Sequence, residues 1–108
     1  MKRDIFDAIG DPTRRAILSL LAVQAMTPNA IAKHFEFSRQ AVSKHIKVLA
    51  ECELVRPHQD GREIHYHFNP QKMKEIDKWL DQFRGLMEIR FNQLDEIFHK
   101  SKSKSDGK

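Results

Sequence analysis

Cysteine is nearly missing from this chain. A single thiol, Cys52, in 108 residues leaves no internal disulfide framework and fits a reducing cytoplasmic setting. No apolar run approaches the length that spans a bilayer, so no membrane partner is expected. The N-terminal stretch "MKRDIFDAIGD" scatters charges where a secretory signal needs an apolar core. Enzyme signatures are absent too: no Gly-rich phosphate loop, no nucleophile elbow and no Cys/His catalytic pattern. Ser43 and His45 stand two apart on a helix and point about 200° apart, so they cannot act as nucleophile and base. Neither an enzyme nor a cofactor is expected.

What remains is an ordinary soluble composition, 40% apolar and 31% charged, enough for one domain with a small core. The net charge is +4, but the final stretch "KSKSKSDGK" has four Lys and one Asp and so holds +3 of it. Overall basicity therefore says little about a nucleic-acid partner, and the placement of the bases must decide. That Lys/Ser/Gly stretch has no apolar residue, so a folded domain over 1–99 and a disordered basic tail over 100–108 are expected.

The patterning predicts five helices and one hairpin. Ile5, Phe6 and Ile9 mark a short amphipathic helix ended by Gly10. In "DPTRRAILSLLAVQ", Asp11 is the N-cap, Pro12 takes the first helical position, and Ile17, Leu18 and Leu21 form the apolar face. "TPNAIAKHF" repeats the pattern with Thr27 and Pro28, and Ile31 and Phe35 face inward. "EFS" is a tight break, after which Ser38 caps "RQAVSKHIKVLAE". "ELVRPHQDGREIHYHFN" reads as a hairpin turning at Asp60-Gly61, with Ile64, Tyr66 and Phe68 alternating with Glu63, His65 and His67. Asn69-Pro70 then opens a helix to about His99, roughly 45 Å long if unbroken.

The fourth helix carries the functional signal. At 100° per residue, Val42, Ile46 and Leu49 cluster within about 60°, and Gln40, Ser43, Lys44 and Lys47 lie opposite within about 100°. His45 sits at the border. Solvated helix faces usually pair acids with bases, whereas this helix has no acid before Glu51. Lys neutralises phosphate, Ser fits against backbone or base edge, and Gln pairs bidentately with adenine. A short capped helix, a three-residue turn and this helix make a helix-turn-helix, and a basic-tipped hairpin directly after it makes a winged helix. Arg56, His58 and Arg62 surround the turn, in reach of phosphates or a minor groove.

These segments, "FDAIGDPTRRAILSLL", "AIAKHFEFSRQAVSKHIKVLAECELVRPHQDGREIHYHFN" and the long Trp-containing helix, resemble the arsenic-repressor (ArsR) family of bacterial winged-helix repressors. The resemblance runs from about Ile5 to Phe98. It implies a mainly α fold with a small β-hairpin and a long C-terminal dimerisation helix. It also implies a homodimer that binds an inverted repeat in double-stranded DNA and blocks transcription, on its own promoter among others. Ser38, Arg39, Gln40, Ser43, Lys44, His45 and Lys47 fall where the family's recognition helix meets DNA, with Arg56, His58 and Arg62 on the wing.

Many members of that family sense metals through a cysteine pair before the recognition helix or an Asp/His set on the last helix. "AIAKHF" has no cysteine, and placing the family's aspartate at Asp77 puts Trp79, Arg90 and Gln93 at the other ligand positions. Neither set fits a cation, and no metal is expected. Two other readings compete with a DNA-binding repressor. One is a metalloregulator that uses His58, His65 and His67, which share a hairpin face with His58 opposite Glu63. The other is a winged helix that binds a protein partner and not DNA. Cys52 reads as a half-buried small apolar residue.

The last helix bears more apolar residues than one small domain can cover, so part of its stripe is expected to meet a second chain. Trp79, Phe83, Met87, Phe91, Leu94 and Phe98 are assigned to that contact, with Ile5, Phe6 and Ile9 beside them. Gly85, in mid-helix, points to a bend or a close helix approach.

Overall fold

Four helices begin on side chains that cap them. In the computed structural model, which describes residues 4–106 and side chains only as far as residue 99, α1 spans Ile5–Ile9, and the Asp4 carboxylate accepts from the Phe6 amide at 3.1 Å. Asp11 accepts from the amides of Thr13 and Arg14, at 2.8 and 3.1 Å, to start α2 (Pro12–Val23). Thr27 accepts from the Ala30 amide at 3.2 Å to start α3 (Pro28–Phe35), and Ser38 from the Ala41 amide at 3.1 Å to start α4 (Arg39–Glu51). The two hydroxyl caps contribute about 1 kcal/mol each. All three caps expected from the sequence are in place, with proline at the first position of α2 and α3.

The helix ends follow a different logic. α3 closes on Glu36 at φ 59° and α4 on Glu53 at φ 60°, both left-handed. Beyond each, an amide reaches back: Phe37 donates to the Ala32 carbonyl and Leu54 to the Leu49 carbonyl, both at 3.0 Å. This is the Schellman closure, here without its usual glycine. Gly10 ends α1 without a positive φ; a Cβ there would lie 3.3 Å from the Phe6 and Asp7 carbonyl oxygens. Carbonyls at the end of α1 accept from side chains of the next helix. Arg14 donates to the Ala8 and Asp7 carbonyls (2.6 and 3.0 Å), and Arg15 to that of Ile9 (2.7 Å).

The core is built where these helices cross. Ile5 and Ala8 of α1, Ile17, Leu18 and Leu21 of α2, Ile31 and Ala32 of α3, and Val42, Ile46 and Leu49 of α4 are buried together with Cys52, Leu54 and Val55. β1 (Val55–Asp60) and β2 (Glu63–Phe68) form an antiparallel hairpin on it, with Tyr66 and Phe68 packed partly against the core. The turn lies one residue later than expected. Asp60 pairs with Glu63, so the loop is Gly61-Arg62, and of these only Gly61 has positive φ (64°). A loop with glycine first, as in a type II′ turn, needs one positive φ, and Asp60 can stay extended. On its outer edge β2 meets the α2–α3 loop: Met26 and Tyr66 exchange two backbone hydrogen bonds, at 3.3 and 2.9 Å.

After Asn69 the chain makes a 3₁₀ turn, Pro70–Met73, before α5 (Lys74–Asp106). A single helix was expected from Pro70; proline starts the tighter turn first. α5 also runs past Lys100 into the segment whose composition favours a tail. The chain divides into two units at Ile76/Asp77. Every residue of the core described above belongs to the first. Within the second, Arg84 is ion-paired with Asp77 and Asp81, one turn or two back along the helix, and Trp79 meets Phe83 edge to face at 5.0 Å. A Cβ on Gly85 would meet nothing within 4 Å, so no close approach among the described residues explains that glycine.

Candidate nucleic-acid interface

Two turns of buried Val42, Ile46 and Leu49 fix which way α4 faces. The opposite side carries Arg39, Gln40, Ser43, Lys44 and Lys47, all exposed. None of these five side chains forms a hydrogen bond or ion pair with another described residue. Ser38 is exposed as well, with one hydroxyl lone pair engaged by the Ala41 amide. His45 is half-buried and is the smallest contributor to the electrostatics of the Asp11 carboxyl at the head of α2. That carboxyl is held below its ordinary value. The Arg14 amide bond is the largest cause, opposed by partial desolvation, with the Thr13 amide, the Arg14 guanidinium and His45 adding smaller parts. The helix therefore offers a donor-rich, acid-free stripe aimed away from its own core.

The turn that holds α3 against α4 is braced by rings. Phe35 and Phe37 stack at 5.3 Å across the left-handed Glu36. Such a pair contributes about 0.5–1.5 kcal/mol, which offsets part of the roughly 1–2 kcal/mol that a left-handed L-residue costs.

The hairpin adds Arg56, His58 and Arg62, all exposed. Arg56 stands opposite His67, and His58 opposite His65, so His58 does not pair with Glu63 as expected. The register differs by two residues, which leaves the faces unchanged: Arg56, His58, Asp60, Glu63, His65 and His67 share one side. His58 and His67 meet edge to face at 5.8 Å, and the Nδ1 of His65 is buried with no described partner. Among the described residues, no three His, Cys, Asp or Glu side chains are gathered as a metal ion requires. Asp77 is engaged by Arg84. The wing histidines thus share a face without forming a ligand set. Cys52 is buried, not half-buried, with its thiol donating to the Asp4 carbonyl at 3.6 Å.

The residues assigned to a second chain separate into two groups. Ile5 lies in its own core and Ile9 packs partly against it, which leaves Phe6 as the exposed apolar residue of α1. Trp79, Phe83, Met87, Phe91, Leu94 and Phe98 are all exposed, from 39% for Phe83 to 71% for Phe98.

Sequence reasoning overlooked residues that carry no DNA-facing chemistry but set the geometry. Arg14 and Arg15 are spent on the α1 carbonyls. Asn69, buried at 8% exposure, donates its side-chain amide to the Glu53 carbonyl at 2.8 Å. The available signal was the pair of bases directly after Asp11-Pro12-Thr13, at the start of a helix where acids are favoured.

A helix-turn-helix domain family matches residues 9–58. The chain is similar to the transcriptional repressor SdpR of Bacillus subtilis (strain 168), 38% identical over 80 residues, covering 74% of this chain and 89% of that protein. It is 32% identical over 77 residues to the arsenical resistance operon repressor of Staphylococcus xylosus, covering 71% and 74%. Among solved structures, an ArsR-like transcriptional regulator from Rhodococcus sp. RHA1 superposes with a TM-score of 0.68 at 29% identity, over 86% of this chain and 88% of that one.

Proposed function

The chain belongs to the ArsR family of winged helix-turn-helix transcriptional regulators, and from that premise we propose that it represses transcription as a homodimer bound to an inverted-repeat operator. As a family member it is a DNA-binding regulator and not an enzyme. The observation that carries the rest is the acid-free stripe of α4, exposed and unpaired beside a hairpin bearing two arginines.

In this reading Gln40, Ser43 and Lys44 read base edges in the major groove, with Ser38 and His45 at the margins of the contact. Arg39 and Lys47 bind phosphates, and Arg56, His58 and Arg62 support from the wing. One winged helix gives a few phosphate contacts and weak binding at physiological salt. A second copy, joined through the exposed face of α5 and Phe6, makes the other half-site contact a local event at high effective concentration. The two recognition helices then fall about one DNA turn apart, near 34 Å, which selects an inverted repeat. The protein works in the cytoplasm, and its own promoter is among its targets. No helix among the described residues is long and apolar enough to cross a membrane.

The experiment is binding to promoter fragments, its own first, over a range of salt. With Arg39, Lys47, Arg56 and Arg62 on phosphates in each protomer, log affinity should fall with log salt at a slope of about −7. A salt-insensitive complex would favour a protein-binding winged helix, and equal affinity for operator and random DNA would defeat the reading of a sequence-specific repressor.

A further inference from the structure

The wing ends at Asn69. Val55 and Phe68 pair at the base of the hairpin, and the next residue is Asn69, the buried polar residue of the described core. Its backbone amide donates to the Leu54 carbonyl at 2.9 Å and its side-chain amide to the Glu53 carbonyl at 2.8 Å. Glu53 is the left-handed residue that closes α4. One residue therefore ties the exit of the wing to the end of the recognition helix. The strand ladder joins β1 to β2, and Met26 holds the outer edge of β2, but neither ties β2 to that closing residue. A buried amide is costly unless bonded, so its bond to Glu53 is the reason to have it there.

The arm is long enough for small errors to matter. β2 has six residues, which is about 20 Å at the usual rise. A tilt of about 10° at Asn69 moves the tip by about 3.5 Å on such an arm, more than the 2.7–3.2 Å length of the hydrogen bond to be made there. We infer that Asn69 is a positioning residue: its amide sets the angle between wing and recognition helix so that both reach the operator together. The inference rests on the reading that the wing touches DNA.

A double-mutant cycle on the full-length protein separates the two. The four proteins are the unaltered chain, Asn69→Leu (similar volume, no donor), Arg56→Ala/Arg62→Ala, and the triple variant. Operator affinity is measured at a temperature where circular dichroism shows all four folded. Asn69→Leu should weaken operator binding about tenfold when the wing is intact and less than about twofold when its arginines are gone, because the residue acts through the wing. Equal losses in both backgrounds, or no loss in the first, would overturn the inference. If Arg56→Ala/Arg62→Ala leaves affinity and salt slope unchanged, the wing reading itself fails and takes the inference with it. Should Asn69→Leu not fold, Asn69→Ser enters the same cycle under the same criteria.

Discussion

Replacing Phe91 and Leu94 by glutamate should part the protomers and leave the DNA-facing unit folded. Phe91 is 61% exposed in the single chain and Leu94 49%. A phenylalanine side chain offers about 200 Å², so covering that fraction removes about 120 Å² from water. At about 25 cal/mol per Å² this is about 3 kcal/mol, and the exposed half of a leucine adds about 1 kcal/mol. Both protomers contribute in a two-fold interface, so the pair accounts for about 8 kcal/mol. This gross gain is as large as the net standard free energy of a complex with a micromolar Kd, so losing it is enough to part the protomers. Glutamate forfeits the gain and adds the cost of burying a charge. The core of the first unit, from Ile5 to Val55, contains neither residue, so its thermal transition should persist. Sedimentation velocity at micromolar concentration should show a monomer, and operator affinity should drop by orders of magnitude with Gln40, Ser43 and Lys44 untouched. A double variant that still sediments as a dimer, or a monomer with full operator affinity, would refute the reasoning.

Other expectations follow from the same geometry. Lys47→Ala should weaken binding to all sequences and lower the salt slope by about one, as should Lys44→Ala if that amine also meets a phosphate. Gln40→Ala should cost about 1–3 kcal/mol on the operator alone, and equal losses on random DNA would remove it from base readout. Because the Asp11 carboxyl is held below its ordinary 3.8, its charge supplies stability above that value, which is lost as pH falls through the lower folded value. Asp11→Asn should therefore lower the urea midpoint at neutral pH, with the gap to the unaltered chain closing in acid; a gap that widens would contradict the assignment. Zn²⁺, Cd²⁺ or arsenite should not release the protein from its operator, and stoichiometric release abolished by His65→Ala or His67→Ala would reinstate the wing histidines as ligands.

Where local chemistry decides the backbone, the sequence was readable. Asp11, Thr27 and Ser38 each place an oxygen on the amides that a helix leaves open, and the helices start there. The apolar spacing of Val42, Ile46 and Leu49 likewise gave the outward stripe of α4. Illegible features were those settled by tertiary contact. Glu36 and Glu53 adopt a backbone usually left to glycine, one under the Phe35–Phe37 stack and the other held by Asn69. The Met26–Tyr66 bridge is one residue long and leaves no period to detect. In the hairpin, Asp60-Gly61 marked the turn, but only glycine needed the special φ, so the loop moved on by one. α5 continues to Asp106 through a stretch with no glycine or proline after Gly85 to stop it.

The stoichiometry of the operator complex tests the central claim most directly. A duplex carrying both half-sites is titrated with protein, and the mass of the complex is read by sedimentation equilibrium. The account predicts two protomers per duplex, and scrambling either half-site should cost most of the affinity. One protomer per duplex, with affinity indifferent to the second half-site, would contradict it.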